Sequence, residues 1–99
     1  MVQKQLFYPP PIEDIVQKGL QNKPGLLNAF KRLESSIEAN PEQASPEIFI
    51  IGNNKIQCHR KSIRATSYSK NMNFSKNEIV ILYEILPHQI RVIYVFFPW

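Results

Sequence analysis

Ninety-nine residues, with 43% hydrophobic, 20% charged and 11% aromatic side chains, are enough for one globular domain and too few for two independent cores. The balance excludes wholesale disorder and collagen-like repeats, and the lone Cys58 excludes an internal disulfide framework and points to a reducing, cytoplasmic setting. The formal net charge is +4. The opening Met1 to Pro10 lacks the apolar core and cleavage site of a secretory signal, which predicts no export.

In chain order, Gln3 to Tyr8 reads as a short strand. Ile12, Ile15, Val16 and Leu20 then fall at helical spacing behind Pro9-Pro10-Pro11, with Glu13 and Asp14 in the first turn, where the helix dipole favours carboxylates. The spacing predicts a first helix over 11–21. Pro24-Gly25 interrupts the pattern. Leu26, Phe30, Leu33 and Ile37 mark one face of a second helix ending before Asn40-Pro41, because proline disfavours a helical residue ahead of it. The short connection predicts an antiparallel helical hairpin.

Beyond the loop 41–47 the period changes. Ile48 to Ile51 and Lys55 to His59 read as strands joined by a turn at Gly52-Asn53-Asn54, residues that tolerate positive φ. Residues 60–77, rich in Ser, Asn, Lys and Thr, read as a long exposed loop. Ile79 to Ile85 and Ile90 to Phe97 are the clearest strands, apolar on both faces, which predicts a central hairpin covered on both sides. The apolar run from Ile79 to Trp99 is no membrane span, since Glu84, Pro87, His88, Gln89 and Arg91 lie within it. The expected class is α+β: a helical hairpin packed on three or four antiparallel strands, in one domain over 1–99.

The charge is unevenly placed. Residues 48–76 hold Lys55, Arg60, Lys61, Arg64, Lys70 and Lys76 and no acidic side chain, while the flanking thirds are close to balanced. Such asymmetry suits a polyanionic or acidic partner. These six cations are the candidate RNA-binding residues, with Tyr68 and Phe74 interleaved as stacking groups; the competing reading is a solvated loop whose lysines confer solubility.

Tyr8-Pro9 leading into Ile12-Glu13-Asp14-Ile15, Asn40-Pro41 closing the second helix, and Ile79 to Ile85 followed by Ile90-Arg91-Val92-Ile93-Tyr94-Val95 together resemble the RelE/ParE superfamily of bacterial toxin-antitoxin toxins. The resemblance spans nearly the whole chain, and its distinctive part is the final hairpin. It implies a small basic toxin with a cognate antitoxin as partner. The target it implies is ribosome-bound mRNA, cut by an endonuclease that inhibits translation; the alternative is a non-enzymatic binder, either a DNA gyrase inhibitor or a degenerate toxin that keeps only antitoxin binding. The sequence departs from the nuclease pattern at Val80, where an arginine is usual, and at Phe97-Pro98-Trp99, where basic or aromatic residues usually follow the last strand.

On the endonuclease reading, Arg60 and Arg64, with Lys61, contact phosphate and stabilise transition-state charge, and His59 is the acid/base candidate. The reading favoured for His59 is nevertheless a surface histidine at a strand end. Cys58 and His59 are adjacent on a strand and point to opposite faces, so Cys58 reads as a small buried hydrophobe rather than an activated thiolate. Tyr83 and Tyr94 lie on the two neighbouring central strands, each within reach of a groove, and the favoured reading for both is core packing with the hydroxyl hydrogen-bonded. Two histidines and one cysteine show no metal-ligand spacing, and no glycine-rich phosphate loop exists, so no cofactor is expected.

Overall fold

The computed structural model describes residues 4–43, 46–64 and 78–97. Strand β1 (Leu6–Phe7) leads into helices α1 (Pro10–Leu20) and α2 (Pro24–Ala39), and strands β2 (Glu47–Ile51), β3 (Asn54–Arg64), β4 (Glu78–Ile85) and β5 (Ile90–Phe96) follow. They form a five-stranded sheet in the order β1-β5-β4-β3-β2, antiparallel except that β1 runs parallel to β5. Among the described residues, no helix is long and apolar enough to cross a membrane.

Prolines define where both helices begin. Pro9 precedes α1, and its carbonyl accepts from the Ile12 and Glu13 N–H groups, while Pro10 and Pro24 occupy first-turn positions where a missing N–H costs nothing. Glu13 in the first turn and Lys18 in the last of α1 match the helix dipole. Helix α2 buries Ala29, Phe30, Leu33 and Ile37, three and four residues apart, as one stripe. It ends at Asn40, whose N–H donates to the Ser36 carbonyl.

The helical hairpin carries the chain from one edge of the sheet to the other. Helix α1 lies against β5 and α2 against β3. Beneath them β4 contributes Ile79, Ile81 and Tyr83, and β5 contributes Ile90, Val92 and Val95, all buried with the α2 stripe in one core. Val92 and Val95 are three apart, a spacing that a regular strand cannot place on one face. A β-bulge reconciles them: Tyr83 pairs with Val92 and Leu82 with Tyr94, leaving Ile93 as the extra residue.

Several expectations need correction. The sheet is mixed and has five strands, because β1 adds to the last strand in parallel, a pairing between chain ends that no local pattern encodes. Pro24 and Gly25 open α2 rather than lying ahead of it. Residues 60–64 are not loop but the second half of β3, hydrogen-bonded in register to β4 from His59–Tyr83 to Arg64–Glu78. Finally, both helices pack on the same face, so β4 and β5 are not covered by helices on both sides among the described residues.

Candidate nucleic-acid interface

Because successive strand residues alternate between faces, the run from Lys55 to Arg64 is split by the sheet. His59, Lys61 and Ile63 pair with Tyr83, Ile81 and Ile79, whose side chains point to the helices. Arg60, Ser62 and Arg64 therefore belong to the opposite, outer face.

That outer face is laid out in rows by the register. Arg64 stands opposite Glu78; Ser62, Val80 and Phe96 form the next row; Arg60, Leu82 and Tyr94 the third; Glu84 and Arg91, with Phe7 of β1 beyond, the fourth. An arginine column on β3 thus faces an aromatic column on β5 across the apolar Val80 and Leu82. The Tyr94 and Phe96 rings lie 4.8 Å apart, and Phe7 and Phe96 are both exposed. Two carboxylates punctuate the face: Glu78 lies 3.6 Å from Arg60, and Glu84 pairs with Arg91.

Lys61 has another engagement. Its ammonium donates to the Ser36 carbonyl at 3.1 Å, joining the Asn40 N–H on an oxygen at the C-terminal end of α2, where a cation is favoured. Burial lowers the Lys61 pKa from its ordinary value. The His59 ring stacks on Tyr83, with centroids 5.3 Å apart and planes 14° from parallel, and the buried Tyr83 hydroxyl donates to the Pro41 carbonyl at 2.7 Å. The structure thus brings Arg60 and Arg64 onto one face and sets His59 and Lys61 on the other. Lys55 is exposed near the β2–β3 turn, and Lys70, Lys76, Tyr68 and Phe74 lie outside the described residues.

Cys58 is buried, and burial, reinforced by the nearby Glu84 carboxylate, pushes its thiol pKa up. It is a protonated thiol at neutral pH, unsuited to nucleophilic attack. Among the described residues, no cluster of three or more His, Cys, Asp or Glu side chains could hold a metal ion. A shallow groove of about 410 Å³ between α1 and the end of β5 has Lys18 as the one charged residue lining it among the described residues.

The sequence reading missed the aromatic column and its carboxylate neighbours. Tyr83 is the buried, hydrogen-bonded tyrosine expected, whereas Tyr94 is half-buried on the outer face because the Ile93 bulge shifts the alternation past it. Arg91, Tyr94 and Phe96 would have been found by period-two counting had the extra residue been visible. No protein-family model, curated protein or solved structure matches the chain.

Proposed function

We propose that the chain is a toxin-type protein of the RelE/ParE kind whose outer sheet face engages RNA on the ribosome and arrests translation, with an antitoxin as its cellular partner. The observation that carries this reading is the facing pair of columns: Arg60 and Arg64 on β3 for phosphates, Tyr94 and Phe96 on β5 for unstacked bases. The order of elements, a strand, a helical hairpin and then a strand run whose last member pairs with the first, supports the same reading.

One observation favours a binder without cleavage, directed at gyrase or at an antitoxin alone. His59 lies on the helix-covered face, so no acid/base group chosen from the sequence stands beside Arg60 and Arg64. Induced expression in bacteria separates the readings. Arrest of protein synthesis with messages cut supports the endonuclease, and arrest with messages intact supports blockade by binding. Loss of DNA supercoiling with translation initially unaffected identifies gyrase as the target, while growth and translation both untouched would overturn the toxin reading unless antitoxin binding persists.

A further inference from the structure

Strand β2 forms the far edge of the sheet, and its outer side has no partner strand among the described residues. Natural sheets protect such edges with charge, proline or a bulge. Here Glu47 is the one charged residue of the strand, its middle is Ile48-Phe49-Ile50, and the two isoleucines are 70% and 71% exposed. Among the described residues, the hydrophobic core includes neither of them.

The backbone points the same way. Gly52, with φ of 62°, and Asn53 form a two-residue turn closing on the Ile51–Asn54 pair. Alternation along the ladder then turns the backbones of Glu47, Phe49 and Ile51 toward β3, and directs the N–H and C=O groups of Ile48 and Ile50 outward. The residues with the free ladder groups are the residues with the exposed side chains.

We propose that β2 docks antiparallel against β2 of a second copy of this chain, on a two-fold axis through Phe49. In that register Ile48 lies opposite Ile50 of the second copy and Ile50 opposite its Ile48. Both pairs exchange backbone hydrogen bonds, and the four isoleucines form one apolar cluster. Phe49 meets its own counterpart on the other face, and Glu47 falls opposite Ile51, so no like charges are opposed. The pairing is isologous and closed, giving a ten-stranded sheet in a dimer rather than a fibre. An extended peptide from another protein could use the same ladder, but a strand this self-complementary selects itself. Five residues a side is a small interface, below the standard size class, so the dimer forms reversibly at micromolar or higher concentration.

Sedimentation equilibrium on the full chain, from low micromolar to near-millimolar concentration, tests this. The mass is expected to rise from 11.6 kDa toward twice that value and no further. Ile48→Lys and Ile50→Lys should each remain monomeric with an unchanged circular dichroism spectrum, and Leu27→Lys, an exposed apolar site on α2, should dimerise as the parent does. A second measurement reads the register independently of the lysine variants. Phe49→Cys should oxidise to a cross-linked dimer because its Cβ faces its own copy across the axis, and Ile51→Cys, displaced from the axis, should not. A constant monomer mass, growth beyond the dimer, or equal cross-linking at positions 49 and 51 would overturn the proposal.

Discussion

The Tyr8 hydroxyl donates a 2.6 Å hydrogen bond to Glu34 Oε2, and one turn along α2 the Glu38 carboxylate accepts from the Leu6 N–H at 3.1 Å. Two carboxylates on one helix thereby fasten the first strand. Burial first, then the Glu34 partner, raises the Tyr8 pKa well above its ordinary value, so the phenol remains a donor. Glu34 is also raised, by burial and then by Glu38, although the Tyr8 bond and Lys31 pull the other way. Its folded state holds a proton more tightly than the unfolded chain does. The stability linked to Glu34 is therefore fully present below about 4.5, its ordinary value, and is lost as pH rises through the folded-state value. Denaturant melts between pH 4 and 7 should show this decline, and Glu34→Gln, whose amide oxygen still accepts from Tyr8, should flatten it.

Gly19 lies beneath the Phe97 ring, and a Cβ added there would come within 2.6 Å of it. That ring packs against Phe30, with centroids 6.0 Å apart, so a Cβ at position 19 would force it to shift on that contact. Gly19→Ala should cost about 1 kcal/mol, the overpacking outweighing the gain in helix propensity. Gly25→Ala meets nothing within 4 Å and should add about 0.5 kcal/mol. Thermal melts that rank the two variants the other way would contradict this packing.

Arg60 and Arg64 should behave differently from Lys61, although all three lie within five residues. Replacing both arginines with alanine should flatten the log–log salt dependence of single-stranded RNA binding by about 1.4, roughly 0.7 for each phosphate no longer neutralised, and leave the melting temperature close to its starting value. Lys61→Met should do the reverse. It removes the bond to the Ser36 carbonyl and lowers stability by about 1 kcal/mol, while leaving the salt slope unchanged.

Tyr83→Phe removes the hydroxyl that ties the middle of β4 to the Pro41 carbonyl just beyond α2. A loss of about 1 kcal/mol is expected from an equilibrium denaturation curve, with the hydrophobic packing of the ring retained.

Local periodicity made the helices legible. Leu26, Phe30, Leu33 and Ile37 name the buried face of α2 outright, because a helix face depends only on residues three or four apart. The β2–β3 turn was legible for the same reason. The rest required non-local information. Leu6 pairs with Ile90 across the length of the chain, and only the tertiary fold brings them together. Arg60 to Arg64 looked like loop because cations and serine dominate the composition, yet pairing with the apolar β4 holds them in a strand. Once they are in a strand, alternation divides what composition presents as a single basic patch. The candidate site was thus half visible: its arginines stood out by charge, and its aromatic side was concealed by the Ile93 bulge.

The bulge also sets how β5 responds to a change in its length. Val92 and Val95 face the helices and Tyr94 faces away, with Ile93 contributing no partner to the ladder. Deleting Ile93 leaves that in–out order intact, since the two flanking residues become ordinary neighbours on opposite faces. Deleting Val92 has the same effect, since Ile93 then takes its place against the helices while Arg91 keeps its outward position opposite Glu84. Deletion of Val92 and deletion of Ile93 should therefore both yield folded protein, with the ladder regular from Ile90 to Phe96. Either loss should preserve the aromatic column, so β5 carries a residue it can lose at the point where the two faces change phase.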